Sequence, residues 1–150
     1  ITEPTTTFSA CFGKAFLPLH PAKYAKLLGE KLEGTDIKVW LINTGWTGGS
    51  YGVGSRMKLS YTRQMITAAL EGKLNDVAYD TLPVFDLAIP TSCEGVPAEI
   101  LNPRATWADK NAYDDTANNL AGQFVKNFEQ YASETSTDIL AAAPKVKQTV

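Results

Sequence analysis

The amino-acid sequence predicts an α/β fold. Segments with the apolar spacing of helices alternate with short apolar runs that are typical of strands. A glycine-rich stretch, NTGWTGGSYGVGSR (residues 43–56), lies between one of these runs and a helical pattern. Only about three strands are evident, which is few for an independent doubly wound sheet. We therefore expect the chain to be part of a larger domain.

The first third of the chain predicts one helix and one strand. Residues 8–19, FSACFGKAFLPL, are apolar and predict either a short strand or a buried loop. A helix is then expected from Pro21, which suits the first helical position, to a stop at Gly34. The nearly continuous apolar run Ile37–Ile42 predicts a strand that is covered on both faces.

The rest of the chain predicts two helices and a third strand. Ser60 is the expected N-cap of a helix that ends at Gly72. Thr81–Ile89 is strand-like, and Pro83 places its start at an edge or a bend. We expect Pro90–Arg104 to be an irregular connector and Asp109 to open the longest helix. The apolar stripe of that helix comprises Ala117, Leu120, Ala121, Phe124, Phe128 and Tyr131.

Composition excludes several classes of function. The net charge of −2 argues against a nucleic-acid partner, which calls for a concentrated basic face. No apolar run approaches the roughly 20 residues of a membrane helix, so no membrane partner is expected. Residues 1–13 lack Lys and Arg, so we do not expect a signal peptide. Cys11 and Cys93 form at most one disulfide, which favours a reducing, cytoplasmic location.

The single histidine, His20, limits the possible chemistry. A His-rich zinc site cannot be built, and a Ser-His-Asp or Cys-His centre would have to use this residue. Because His20 directly precedes Pro21 at a predicted helix start, we interpret it as structural. The sequence offers no convincing nucleophile, general base or metal cluster, so we predict no catalytic residue and no metal ligand within the chain.

The glycine-rich stretch leaves three interpretations open. Residues 49–54 have the glycine spacing of a phosphate-binding P-loop, but Ser55 and Arg56 follow where that motif needs Lys and then Ser or Thr. The motif therefore fails at the residues that carry its chemistry. The loop could serve packing alone. Alternatively, it binds part of a nucleotide through Arg56, since a guanidinium stacks on a base or pairs with phosphate.

Three segments, residues 2–32, 39–74 and 81–110, resemble the C-terminal part of ATP-dependent phosphoenolpyruvate carboxykinases. NTGW followed by a glycine loop, G-x-R and T-R is highly specific to that family, and so is ILNPRATW (residues 100–107). The resemblance runs from Thr2 to about Tyr131. It implies that residues 1–132 are the C-terminal portion of a mononucleotide-binding domain in a two-domain enzyme. Residues 133–150 are then expected to be a flexible tail.

The resemblance also implies an activity. Members of the family convert oxaloacetate and ATP to phosphoenolpyruvate, ADP and CO₂, a step of gluconeogenesis, with Mg²⁺ and a second cation such as Mn²⁺. By the same resemblance, the P-loop, the metal ligands and the oxaloacetate-binding residues lie upstream of Ile1. We therefore expect this chain alone to be inactive and to need the missing N-terminal portion.

Three positions carry over from the family's adenine-nucleotide site. The arginine after the glycine loop and the residue that follows it correspond to Arg56 and Met57, and a threonine six residues after the arginine corresponds to Thr62. The resemblance implies that all three contact ATP. Many relatives have lysine where this chain has Ser55, which changes the local charge but leaves Arg56 in place.

Two competing hypotheses remain on sequence grounds. The chain could be a stand-alone module that binds a nucleotide or another anion without catalysis, which would explain the missing catalytic groups. It could also be a structural α/β fragment whose glycine loop only packs. The specificity of the matched segments favours the carboxykinase interpretation over both.

Overall fold

The computed structural model describes residues 7–9 and 13–147. Helix and strand are mixed within these residues, which confirms the α/β composition that the sequence predicts. The first element among the described residues is a 3₁₀ helix at Lys14–Phe16, which lies in the segment expected to be a strand or a buried loop. The remaining elements are α1 Pro21–Leu32, β1 Trp46–Thr47, β2 Ser55–Arg56, α2 Leu59–Leu70, β3 Tyr79–Leu82, β4 Leu87–Pro90, α3 Ala98–Leu101, α4 Pro103–Thr106, α5 Lys110–Ala132 and α6 Thr137–Ala141.

The strands form two separate antiparallel ribbons, β1 with β2 and β3 with β4. Contacts divide the chain into two compact units, residues 1–39 with 123–143 and residues 40–122 with 144–150. Both ribbons lie in the second unit. Every residue discussed below as part of the candidate site lies there too.

Helix α1 begins at Pro21, as predicted. The residue before it, His20, is the N-cap, and its Nδ1 accepts a hydrogen bond of 3.4 Å from the backbone N–H of Ala22. The imidazole also packs edge-to-face on Tyr131, with ring centroids 5.8 Å apart. The histidine thus caps a helix and fills a contact, which fits the structural interpretation.

The predicted strand at Ile37–Ile42 is wrong. These residues have no regular secondary structure. The side chains of Ile37, Val39 and Leu41 are 62%, 68% and 80% exposed. An apolar strand is stable when another strand pairs with it and other elements cover its faces. Within the described ranges, the sheets contain only β1–β2 and β3–β4, so this segment has no ladder partner there.

The single strand predicted over Thr81–Ile89 is a hairpin instead. β3 and β4 pair in register from Tyr79 with Pro90 to Leu82 with Leu87. The chain reverses between them, and the N–H of Asp86 donates to the carbonyl of Leu82 at 2.8 Å. Pro83 lacks a backbone N–H for a ladder, and Asp86 adopts a positive φ of 54°, which Asp tolerates better than most residues. The bend anticipated at Pro83 is therefore a complete turn.

Helix α2 begins two residues before its predicted start. Its N-cap is Lys58, not Ser60, and the N-cap side chain makes no capping bond. The carbonyl of Lys58 already accepts from the N–H of Tyr61 at 3.0 Å, so helical bonding starts ahead of the serine. The predicted end is confirmed. Gly72 N–H donates to Ala69 O and Lys73 N–H to Ala68 O, at 3.2 and 2.9 Å, the pair of bonds that forms a Schellman motif.

The connector predicted over Pro90–Arg104 is more regular than expected, since it contains α3 and the start of α4. The start of α5 is confirmed. The carboxylate of Asp109 accepts from the N–H groups of Asn111 and Ala112, at 2.8 and 3.1 Å, and so caps the helix.

A small apolar core holds the second unit together. Its buried members are Ala68, Leu74, Cys93 and Val96. Partly buried side chains of α2, α3 and the flanking segments pack around them: Trp40, Tyr61, Met65, Ala69, Val77, Ile100 and Leu101. Cys93 is a free thiol, and burial raises its pKa above the ordinary value. Cys11 lies outside the described residues.

The C-terminal segment contains α6 and is bonded at its end. The N–H of Lys145 donates to Val84 O at 2.7 Å, and the Lys145 ammonium lies 2.6 Å from a carboxylate oxygen of Asp86. Further on, the amide side chain of Asn118 bonds both the N–H and the carbonyl of Lys147. The flexibility expected for residues 133–150 remains a prediction.

Candidate functional site

The glycine-rich stretch folds into a tight β-hairpin. β1 and β2 pair with Thr47 opposite Ser55, and residues 48–54 form the loop. The carbonyl of Ser50 accepts from the N–H groups of Val53 and Gly54 at 3.0 and 2.9 Å. The strand, loop and helix arrangement that binds phosphate in P-loop proteins is therefore not formed by the described residues, because the loop returns through β2 before α2 begins.

The backbone approaches residue 54 so closely that this position requires glycine. A Cβ at this position would lie 2.5 Å from the carbonyl oxygen of Gly49 and 2.6 Å from that of Thr47. Both neighbours are backbone atoms, which cannot move aside as the end of a side chain can. The glycine closes the hairpin in a shape that no other residue permits without rearrangement.

Arg56 stands directly opposite Trp46 in the ribbon. The next pair, Gly45 with Met57, is hydrogen-bonded, so Trp46 and Arg56 form a non-hydrogen-bonded pair, in which the side chains of an antiparallel ribbon come closest. Trp46 is 41% exposed and stacks on Tyr51 of the loop at 6.0 Å. The exposed guanidinium and the exposed indole thus share one face of the hairpin.

Met57 and Thr62 are buried, unlike Arg56. Met57 is 9% exposed and Thr62 is 6% exposed. Thr62 lies on α2, where its N–H donates to the carbonyl of Lys58 at 3.3 Å. The structure thus brings Arg56 and Met57 together at the end of β2. It places Thr62 about one helical turn beyond Lys58, a rise of about 6 Å.

Basic side chains surround the hairpin in sequence. Residues 40–70 contain Arg56, Lys58 and Arg63 but no Asp or Glu, although the whole chain has a net charge of −2. All three are exposed. Lys58 also lies over the ring of Tyr61, 5.5 Å from its centroid. This charge segregation is visible in the sequence, and it favours an anionic ligand at this end of the unit.

One residue that contacts the hairpin was missed on sequence grounds. The hydroxyl of Thr106 bonds the backbone of Gly48, 58 positions earlier in the chain. Thr106 belongs to the ILNPRATW motif, to which the sequence assigned no role. No local signal could have found the contact, because it depends on how α4 packs beside the loop.

Elsewhere in the described chain we find no stronger candidate for a functional site. A cavity of about 410 Å³ lies between the β3–β4 turn, α4 and α5, and none of Arg56, Met57 and Thr62 lines it. In residues 7–9 and 13–147, no group of three His, Cys, Asp or Glu side chains is placed to hold a metal ion. The helices described here include none that is long and apolar enough to cross a membrane.

Comparison with known proteins identifies the family. A family model described as phosphoenolpyruvate carboxykinase matches residues 1–99. The chain belongs to the phosphoenolpyruvate carboxykinase (ATP) family. Relatives that carry this name include proteins of Flavobacterium johnsoniae, 58% identical over 144 residues, Christiangramia forsetii, 55% identical over 144 residues, and Thermus thermophilus, 52% identical over 147 residues.

The alignments cover 96–98% of this chain but only 27–28% of these three carboxykinases. The chain therefore spans about a quarter of the length of its relatives. The two most specific motifs of the resemblance, at residues 43–63 and 100–107, lie within the second unit, at the hairpin with the start of α2 and at α3 with α4. The Thr106–Gly48 contact joins these two segments.

Proposed function

We propose that this chain is the C-terminal portion of a longer carboxykinase that converts oxaloacetate and ATP to phosphoenolpyruvate, ADP and CO₂. Within that enzyme it forms the adenine side of the ATP site, through Arg56, Met57 and Thr62. The observation that carries the proposal is the exposed Arg56 beside Trp46 on the hairpin, in a chain that belongs to the carboxykinase family. Gluconeogenesis in the cytoplasm is the setting that the family implies.

The hairpin supports recognition of a base better than recognition of a phosphate tail. A guanidinium and an indole on one face provide a planar, cationic surface suited to stacking. Met57 adds an apolar contact at the end of β2, although its burial limits that contact to a small part of its surface. Thr62 would need a local opening to present its hydroxyl, since only 6% of the residue is exposed.

The exposed apolar side chains support a role as part of a larger domain. Ile37, Val39 and Leu41 occupy alternate positions of a segment without regular secondary structure and remain largely open to solvent. An alternating apolar row is what a strand presents when its covering elements come from elsewhere. We propose that residues 1–132 join such elements in the nucleotide-binding domain of the complete enzyme, with residues 133–150 as a tail.

We propose that the residues that bind the metals of the reaction belong to the rest of the complete enzyme. In the part of the chain that the structure describes, no cluster of carboxylates or imidazoles is suited to Mg²⁺ or Mn²⁺. We propose no reaction step through a metal at these residues. Divalent ions would neutralise phosphate charge in the complete site, and this chain would bind and orient the base.

The experiment replaces Arg56 in the full-length enzyme. We expect Arg56→Ala to weaken ATP binding about tenfold, the loss of one desolvated cation–π or charged hydrogen-bond contact of about 1.4 kcal/mol. Adenosine should lose affinity by a similar factor, because the lost contact is to the base. Lys126→Ala, which removes an exposed charge on α5, is the matched control.

Comparing ATP with adenosine distinguishes a contact between Arg56 and the base from a contact between Arg56 and the phosphates. If Arg56→Ala weakens ATP binding but leaves adenosine binding unchanged, the arginine serves the phosphates and the adenine assignment is wrong. Unchanged binding of both ligands would mean that Arg56 is not part of the ATP site. A stand-alone binding module is not favoured, since the matching relatives are carboxykinases in which the aligned segment is about a quarter of the length.

A further inference from the structure

The hydroxyl group of Thr106 makes three hydrogen bonds. It donates to the carbonyl oxygen of Pro103 at 2.7 Å. It accepts from the backbone N–H of Gly48 and from the hydroxyl of Thr47, both at 3.2 Å. A hydroxyl has one proton and two lone pairs, so these contacts use its whole bonding capacity. Donating to Pro103 leaves both lone pairs directed to the hairpin.

The two hairpin contacts lie where the loop begins. Thr47 is the last residue of β1, and Gly48 is the first residue of the loop, with φ of 79°. At that turn position the N–H of Gly48 points out of the ladder, and the Thr106 hydroxyl is the acceptor it meets. Only one residue, Trp46, separates Thr47 from the Gly45–Met57 hydrogen bond at the base of the hairpin.

Contacts from α5 hold the residues on both sides of Thr106. The ammonium group of Lys110 donates to the carbonyls on either side of it, Ala105 at 2.8 Å and Trp107 at 2.6 Å. In the same short helix α4, Arg104 forms a two-pronged ion pair with Asp114 of α5, at 2.8 and 2.9 Å. The position of the hydroxyl is thus fixed from a long helix and not from the loop that it contacts.

We propose that Thr106 is a positioning residue for the adenine side of the nucleotide site, an inference that rests on the function proposed above. Its hydroxyl holds the start of the loop in place before the nucleotide arrives. The β1–β2 ladder then transmits that placement from Thr47 to Trp46 and Arg56. A binding surface that is already ordered loses less conformational entropy when its ligand binds.

The test compares Thr106→Val with Thr106→Ser in the full-length enzyme. Valine keeps the shape and removes all three bonds, whereas serine keeps the hydroxyl. With Thr106→Val we expect faster amide hydrogen exchange in residues 47–54 without nucleotide. We also expect a five- to tenfold higher KM for ATP at nearly unchanged kcat, because binding is lost without loss of the phosphate and metal groups. Thr106→Ser should restore both properties.

Thr116→Val is the control, and two different results would contradict the proposal. Thr116→Val removes a hydroxyl bonded to Ala112 O at 2.7 Å on the exposed side of α5, and should change neither measurement. Unchanged loop exchange in Thr106→Val would overturn the positioning role whatever happens to KM. Faster exchange with unchanged KM would overturn the link to ATP, whereas failure of the proposed function itself is reported separately by Arg56→Ala.

Discussion

The backbone N–H of Met57 donates to the carbonyl oxygen of Gly45 at 2.9 Å and closes the base of the glycine hairpin. This bond fixes the register of the ribbon, and with it the face to which each side chain after the loop points. Met57 points into the unit and is buried, so its neighbour Arg56 points outward beside Trp46. The arginine is presented to solvent because a specific ladder register places it there.

Gly54→Ala should damage the hairpin. The added methyl group would lie 2.5–2.8 Å from three backbone atoms of Thr47 and Gly49. We expect the loop to rearrange, with a loss of about 1–3 kcal/mol in the free energy of unfolding, the usual cost of overpacking. In the full-length enzyme the KM for ATP should rise. Denaturant unfolding and steady-state kinetics measure the two effects.

Gly122→Ala is the matched control for that substitution. Gly122 lies in the interior of α5, and an added Cβ would meet nothing within 4 Å. Alanine should stabilise the helix by about 0.5–1 kcal/mol. If Gly54→Ala behaves like Gly122→Ala in both measurements, the close approach that we describe does not exist in solution.

Asp114→Asn should destabilise the protein in a pH-dependent way. The guanidinium of Arg104, bonded to both oxygens of this carboxylate, lowers the pKa of Asp114 below its ordinary value of 3.8. Because the folded pKa is the lower one, the pair stabilises the protein fully above that ordinary value. Its contribution is lost as the pH falls through the folded pKa.

The measurement is the denaturant midpoint of wild type and variant at pH 7 and at pH values below 3.8. We expect a difference at pH 7 that shrinks steadily in acid. The neighbouring Asp115→Asn, an exposed carboxylate on the same helix, should show a much smaller difference at pH 7. An equal difference for Asp114→Asn at every pH would mean that the ion pair does not contribute.

Asn118→Ala should release the end of the C-terminal segment. The Asn118 side chain accepts from the N–H of Lys147 at 2.7 Å and donates to its carbonyl at 3.3 Å. Without it, trypsin should cleave after Lys145 and Lys147 faster, as followed by intact mass. Asn111→Ala, at an exposed position of the same helix, is the control. Equally rapid cleavage of the wild type would favour the flexible tail expected from the sequence.

The isolated 150-residue chain should not form phosphoenolpyruvate from oxaloacetate and ATP. In the function proposed above it supplies only a base-binding surface, and the described residues contain no group of three His, Cys, Asp or Glu side chains that could hold a metal ion. Calorimetric titration with ATP should show weak binding or none. Tight ATP binding without turnover would support a stand-alone module, and measurable product would show that the catalytic groups lie within this chain.

The helices could be predicted from the sequence because their signals are local. Pro21, Gly72 and Asp109 mark helix ends through their own backbone chemistry, and the structure confirms each of them. The prediction of Ser60 as the N-cap is wrong because the helix already begins at Leu59, after Lys58, and its start does not depend on a capping side chain. A capping residue favours a helix start but does not fix it.

The strands were harder to predict because a strand depends on a distant partner. Ile37–Ile42 has the composition of a buried strand, yet no ladder forms with the described residues. The glycine hairpin and the Thr106 contact also depend on pairing that no local pattern encodes. Arg56 could be picked out because its chemistry and the family motif both point to it. Its placement opposite Trp46 required the structure.

The most direct test of the adenine site is photoaffinity labelling of the full-length enzyme with 8-azido-ATP. After trypsin digestion, we expect the label in the peptides that span residues 39–63, and ATP in excess should prevent it. Trp46 and Tyr51 are exposed aromatic side chains that stack on each other, and Trp46 lies opposite Arg56. Label found only outside residues 39–63, and still prevented by ATP, would contradict the assignment of adenine to this hairpin.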